Sequence, residues 1–353
     1  MNEDGSPERR SAAISSAPHP FCPLCASSGE VLYTGQVDWL YGVPETWGMR
    51  RCSTCTVVWL DPQPVTTDIH KLYSRYSTHD AGESKTWIGR IQDAASDCVL
   101  ARLGYPIDCP KGTLPRLLSQ LPSVQRTAIL SVLGLPTSKA GSLLDIGCGN
   151  GYFIARMRSL GWQVSGVDPD PAAVSYGQRQ GLNILAGTIA DLPETESYDV
   201  ITLSHVVEHV ADPVDLLREC AKRLRSGDGR LIITTPNINS LGHRLFRKYW
   251  RGLEVPRHLV LFSPAGLRSC VERAGLSLKS LSTETRLAQM IYSQSARASA
   301  GDQSVGERTT FKIGTKVAAR LFRLIENLML RIKKDLGEEI FCVSAKRVEI
   351  EPK

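Results

Sequence analysis

The chain has 353 residues, of which 42% are hydrophobic, 22% charged and 7% aromatic. This is ordinary globular composition at a length that suggests roughly two domains of about 150 residues, and it excludes a fibrous or wholly disordered chain. Lys and Arg total 42 against 36 Asp and Glu, a formal charge of +6 that is too mild to imply a nucleic-acid partner by itself.

In chain order, residues 1–18 read as a disordered lead, with acids, Ser and Pro and no apolar stretch of a signal peptide. Residues 19–64 are rich in Cys, Gly, Pro and Trp, with short β-like runs at Glu30–Tyr33 and Val57–Leu60. Residues 65–139 read as a helical connector broken by Pro106, Pro110, Pro115 and Pro122. From residue 140 the texture alternates. Ser142–Ile146, Gln163–Val167, Asn183–Ala186, Asp199–Leu203 and Arg230–Thr234 are short apolar, β-branched runs. Helical stretches near 151–160, 171–180, 213–225 and 263–274 separate them, the pattern of βαβ units on a parallel sheet. Leu276–Ser282 and Ile340–Ala345 add two strands, so an α/β domain spans 140–348 with an insertion at 285–337. No run approaches the 18 or so apolar residues of a membrane span. The 10 cysteines are too few for a disulfide scaffold, so a reducing, cytoplasmic setting is expected.

Cys22-Pro-Leu-Cys25 and Cys52-Ser-Thr-Cys55 offer four thiolates in two CxxC pairs. Such a set favours tetrahedral structural Zn²⁺. The 19–64 segment is too small to build its own core, so the metal would stabilise its fold as a zinc ribbon. The competing readings are two unrelated turns or a redox CxxC. Cysteines 98, 109, 148, 220, 270 and 342 show no ligand spacing and read as core or helix-face thiols.

Asp145-Ile146-Gly147-Cys148-Gly149-Asn150-Gly151 reads as a strand end, a tight turn and a helix start. Glycine there lets the backbone approach a ligand closely. The spacing is GxGxG, because position 152 is Tyr, so the dinucleotide fingerprint is incomplete. Asp145 precedes the turn, where a carboxylate can face a cationic group. Asp168 ends the next strand, where a carboxylate can accept ribose hydroxyls.

Asp145 to Gly151 followed by Gly166-Val167-Asp168 resembles the first motif and second-strand acid of class I S-adenosylmethionine (SAM) methyltransferases. Tyr198 to Pro213 resembles that family's fourth strand and following loop, and Leu224 to Asn237 its fifth strand. The resemblance covers about 140–284 and the last strand, and it implies a Rossmann-like domain with a mostly parallel seven-stranded sheet. It also implies that Gly147, Gly149 and Gly151 surround the methionine part of SAM near Asp145, and that Asp168 holds the ribose. Ile189, Ala190 and Asp191 would flank the adenine, and Ser204 and His205 would lie near the methyl group. Many relatives carry Asp where this chain has Thr188, so Asp191 or a main-chain carbonyl would supply the adenine contact.

Methyl transfer to oxygen also needs a base. His205, His209 and His258 are the candidates. Glu208 joins His205 and His209 in a His-x-x-Glu-His run that either orders its loop, contacts substrate or binds a divalent metal. Arg244, Arg247, Lys248, Arg251 and Arg257 make the region around His258 basic, which suits an anionic substrate or a solvated face.

Phe311 to Lys334 reads as one helix, with Ile313, Val317, Leu321, Leu324, Leu328 and Ile332 on one stripe and basic residues behind. This segment holds seven basic residues and one acid, Glu326, so it carries the whole-chain surplus. The stripe packs on the domain or a second copy, or it meets a membrane or lipid-linked substrate.

A zinc ribbon joined to this domain resembles methyltransferases acting on sugars, surface polysaccharides and related metabolites. Arg51 to Cys55 and Leu60-Asp61-Pro62-Gln63-Pro64 match that group, whereas the 84–135 connector and the 285–337 insertion do not. The resemblance implies O-methylation of a small-molecule or glycan hydroxyl. The alternatives are an RNA base methyltransferase, disfavoured by the acidic balance of 19–64, and a non-catalytic zinc- and SAM-binding scaffold.

Overall fold

The computed structural model describes residues 14–73, 87–135, 140–301 and 313–347. Its strands are β1 Ser16–Ala17, β2 Gly29–Val37, β3 Thr46–Cys52, β4 Val58–Leu60, β5 Gln63–Pro64, β6 Ser142–Ile146, β7 Gln163–Asp168, β8 Ile184–Ala186, β9 Val200–Ser204, β10 Arg230–Pro236, β11 Val260–Leu261, β12 Leu276–Glu284 and β13 Glu339–Lys346. The helices are α1 Trp87–Arg102, α2 Thr113–Leu118, α3 Pro122–Ser131, α4 Tyr152–Ser159, α5 Pro171–Arg179, α6 Pro213–Arg223, α7 Leu241–Phe246, α8 Pro264–Arg273, α9 Ala288–Ser299 and α10 Ile313–Met329.

A seven-stranded sheet runs in the order β12-β13-β10-β9-β6-β7-β8. The pairs β9–β6, β6–β7 and β7–β8 are parallel. This is the Rossmann-like, mostly parallel arrangement expected from the alternating strand and helix signals. Helix starts follow local chemistry. Asp170 accepts the backbone N–H groups of Ala172 and Ala173 ahead of α5, and Ser263 accepts that of Gly266 ahead of α8, each with Pro in the first turn.

The chain divides into two compact units. One holds residues 77–204, 218–232 and 344–353. Its sheet core is Leu143, Leu144, Val167, Ile201 and Leu203, all buried. Arg156 pairs with Asp97 of α1. Cys98 and Cys109, expected as free thiols, form a disulfide. The spacing of these two cysteines carries no ligand motif, and a helix end followed by a turn brings them together.

The other unit holds residues 1–76, 205–217 and 233–343. Its four-stranded sheet has the order β11-β4-β3-β2, with all pairs antiparallel. β11 enters from beyond residue 250, so the cysteine-rich segment completes its sheet with a distant strand. Residues 14–18 of the expected disordered lead are ordered: Ser16–Ala17 pairs with Gln63–Pro64, and Ile14 is buried. Residues 1–13 lie outside the described ones.

The two cations of the expected basic loop at 251 and 257 are not surface charges. Arg257 is buried and donates from both terminal nitrogens to the carboxylate of Asp38, at 2.8 Å each, while its guanidinium lies 4.3 Å from the centre of the Tyr41 ring. Asp38 also accepts the backbone N–H groups of Leu40 and Tyr41. Arg251 is paired with Glu254 and Gln294. Removing Asp38 leaves the buried Arg257 only Glu254, 3.2 Å from its Nε and shared with Arg251, so Asp38→Ala is expected to lower unfolding free energy by about 3 kcal/mol in a urea titration. A loss under 1 kcal/mol, roughly that of an exposed pair, would contradict this account.

A glycine cradle, a histidine–carboxylate cluster and four cysteines

β6 ends at a turn in which Gly147, Gly149 and Gly151 all take positive φ, at 69°, 54° and 81°. A side chain at Gly151 would meet Leu182 and Ile184 at under 3 Å, whereas the space beside Gly149 is open. The turn thus presents bare backbone to a ligand. Asp168 is tied to it: one carboxylate oxygen accepts Gly149 N–H at 2.7 Å and the other accepts Asp170 N–H at 2.9 Å. Asp145 is buried and accepts the Thr202 hydroxyl at 2.6 Å. Burial, with the nearby Asp168 charge adding to it, pushes the Asp145 carboxyl up to about 7, against the lowering effect of Thr202. Burial likewise raises Asp168, against its two backbone donors. Among the described residues neither carboxylate pairs with a cationic side chain. Two crowded acids beside a bare loop suit a ligand that carries positive charge and hydroxyls, and SAM has both.

Ile189 is buried, Ala190 and Asp191 are exposed, and Ser204 is half-buried at the end of β9. Asp191 accepts both the N–H and the hydroxyl of Thr188, at 2.8 and 2.9 Å, and so caps its own turn.

In the other unit, His205 sits at a positive φ of 56° and its backbone N–H donates to Thr234. Its Nδ1 meets Glu208 at 3.1 Å and its Nε2 meets Glu339 at 2.8 Å. Burial alone would lower the imidazole, but hydrogen bonds to two carboxylates and their charge raise it to about 10. Glu339 is driven the other way: burial would raise it, yet His205 and Arg286 hold it down at about 2. His205 is therefore an imidazolium with both N–H groups engaged, and it has no lone pair with which to act as a base.

His258 is buried, its Nδ1 bonds the Gly252 carbonyl at 2.8 Å, and burial lowers it to about 4 against the charges of Glu254 and Glu208. His209 is half-buried, and its Nδ1 lies 3.0 Å from both the Arg257 carbonyl and the Tyr73 hydroxyl. A carbonyl can only accept, so Nδ1 carries a proton, and in the neutral ring the lone pair falls on Nε2. His209 and His258 meet edge to face, with ring centres 4.7 Å apart. Ligand atoms of Glu208, His209 and His258 lie within 4.8 Å of one another. The divalent-metal set read from sequence therefore changes, with His258 replacing His205. Nothing local in the sequence marked Thr202, Glu339, Arg286 or Tyr73 as partners of these sites, because each arrives from a distant element.

The four cysteines converge. Sγ separations are 3.3 Å for Cys22–Cys55, 3.5 Å for Cys25–Cys52 and 3.7 Å for Cys25–Cys55. A tetrahedral zinc with sulfur at about 2.3 Å sets neighbouring sulfurs about 3.8 Å apart, so the donor set fits. Ala26 and Thr56, each following a CxxC pair, take positive φ, and each donates its N–H to the carbonyl of the first cysteine of its pair.

Residues 117–281 match a family described as methyltransferase domain. The chain is 35% identical over 103 residues to the ubiquinone biosynthesis O-methyltransferase of Xanthomonas oryzae pv. oryzae, a stretch covering 27% of this chain and 43% of the relative. It is 35% identical over 105 residues to a Mycobacterium tuberculosis protein named a probable S-adenosylmethionine-dependent methyltransferase, covering 29% of this chain and 38% of that one. A solved SAM-dependent methyltransferase from Archaeoglobus fulgidus is 19% identical and covers 64% of this chain and 92% of its own, with a TM-score of 0.40. The chain spans under half the length of the two curated relatives. The glycine turn, the second-strand acid and the sheet order agree with that match, which places a methyltransferase domain of Rossmann-like fold over residues 117–281.

Elemental analysis of the purified protein is expected to give one zinc per chain, with the ratio reduced in Cys52→Ser. A full-length, folded protein without zinc would sink the four-thiolate assignment.

Proposed function

We propose that the protein is a SAM-dependent methyltransferase that methylates a hydroxyl on a small-molecule or glycan-type acceptor, with Zn²⁺ serving only to hold Cys22, Cys25, Cys52 and Cys55 together. The observation that carries this reading is the pair of buried, raised carboxylates, Asp145 and Asp168, beside a glycine turn with open space at Gly149. Asp145 would meet the ammonium of SAM and Asp168 its ribose hydroxyls. Bound SAM would supply a methyl group on a sulfonium, which is already an activated leaving group. The protein's task is then to align the acceptor, exclude water and remove one proton.

Among the three histidines, His209 suits the proton step. Its Nδ1–H is fixed on the Arg257 carbonyl, so the neutral ring presents its lone pair on Nε2. His258, neutral and buried against it, keeps a second positive charge away. His205 acts as a positioning residue, since its imidazolium neutralises Glu208 and Glu339. A neutral hydroxyl acceptor agrees with a loop in which Arg251 and Arg257 spend their charge on Glu254 and Asp38. The cytoplasmic reading remains part of the proposal. The structure adds only that no helix of the described residues is long and apolar enough to cross a membrane.

Asp168→Ala is expected to abolish SAM binding in calorimetric titration while the thermal melt is kept. If the folded variant binds as wild type does, the cofactor assignment fails. An ammonium needs the ionised form of Asp145, whose folded value lies near 7. Affinity should therefore weaken as pH falls below about 7, approaching tenfold per unit, with proton release on binding. A flat profile from pH 8 to about pH 5.5, well below that value, would contradict this pairing. With acceptor found by a tritiated-methyl screen over sugar nucleotides, lipid-linked glycans and RNA, His209→Gln should cost about 10²–10⁴-fold in kcat with SAM affinity unchanged.

A further inference from the structure

The amphipathic segment read from sequence forms α10, but its stripe does not pack on the protein. The side chains it buries are Ala319, Phe322 and Glu326. Phe322 lies against Tyr292 of α9, with ring centres 5.1 Å apart. The residues expected to dock face outward: Ile313, Val317, Leu321, Leu324 and Leu328, joined by Ile325, are all exposed, from 49% at Val317 to 82% at Ile313. At about 100° per residue they occupy an arc of about 120°, separate from the buried face. Ile332, in the turn that follows, is 91% exposed.

The charges beside this face all have one sign. Lys316, Arg320 and Arg323 are exposed and fall along one edge of the arc. Arg331, Lys333 and Lys334 are exposed just beyond the helix. The one acid between residues 313 and 334, Glu326, is buried. An apolar face of this size on a soluble chain marks a contact surface. A second copy in the same position would set this cationic fringe against itself, with no exposed acid on the segment to answer it. An anionic lipid surface meets both demands, taking the apolar face into the acyl boundary and the fringe onto its head groups.

We propose that α10 docks the protein on an anionic membrane surface, lying in the interface without crossing it. The docking uses no residue of the cofactor cradle or the histidine cluster and holds whatever the acceptor proves to be.

The test is co-sedimentation of the full-length protein with vesicles of phosphatidylcholine alone and with equal parts of phosphatidylcholine and phosphatidylglycerol. The wild type should bind the mixed vesicles, bind the neutral ones far less, and be released as salt is raised. Leu321→Asp with Leu328→Asp changes only exposed side chains. This double variant should keep its melting temperature and SAM affinity but lose at least about tenfold in partitioning. Lys316→Glu with Arg320→Glu and Arg323→Glu should lose the preference for anionic vesicles. No binding to mixed vesicles, equal binding by the double aspartate variant, or a wild-type dimer in ultracentrifugation that this variant dissolves would each overturn the proposal.

Discussion

The unit that carries the four cysteines depends on one buried charge pair, Asp38 with Arg257. Neither side chain is measurably exposed, so each needs the other throughout folding and function. Asp38 follows β2 and organises the turn at Leu40 and Tyr41. Arg257 lies in the loop that leads into β11. The pair therefore fixes the cysteine-bearing sheet to the segment that supplies that sheet's own outer strand, and β11 follows only three residues later. The same loop is held a second time by Trp250, whose ring N–H donates to Glu338 at 2.9 Å, and a third time by Arg251 on Gln294. Every charge in this stretch is buried, and every one has a counter-charge.

The three histidines are held in three different ways. A histidine between two carboxylates is locked as a cation, and one sealed from water is locked as neutral. His205 and His258 illustrate the two extremes, with values near 10 and near 4. His209, half-buried like His205, is oriented by the main-chain carbonyl of Arg257. The pairing of Glu339 with His205 and Arg286 has a further effect on stability. A histidine raised in the folded state contributes below its unfolded value near 6.5 and loses that contribution as pH climbs toward 10. The lowered Glu339 contributes above its unfolded value near 4.5 and loses it as pH falls toward 2. The cluster is at its strongest between those unfolded values and weakens toward either extreme.

Much of this was legible in the sequence. The strands from Ser142 to Thr234 and the glycine turn announce themselves through apolar runs and local spacing, and so do the two CxxC pairs. The partners that decide what those residues do were not legible, because they come from far along the chain. Thr202 meets Asp145 across 57 residues, Glu339 meets His205 across 134, and Arg257 meets Asp38 across 219. A basic loop at 251–257 looked like an anion site because spacing does not show that Glu254 turns inward onto Arg251 and Arg257, or that Asp38 arrives from 219 residues away. The α10 stripe was legible as amphipathic, but periodicity reports that a helix has two faces, not which of them the fold covers. Here Phe322 and the small Ala319 won the inward position, and the leucines were left outside.

The double use of Arg257 also bears on how this protein can change over time. Its guanidinium serves the cysteine-rich segment and its carbonyl serves His209, so one residue ties the four-cysteine part to the histidine cluster. A metal-binding appendage is usually a module, free to be lost, exchanged or fused elsewhere. This one is not separable: cutting away the first 64 residues would take from Arg257 its two-point partner Asp38, leave it only Glu254, which Arg251 shares, and strip β11 of its neighbour. The two parts are bound to be inherited, and to diverge, together.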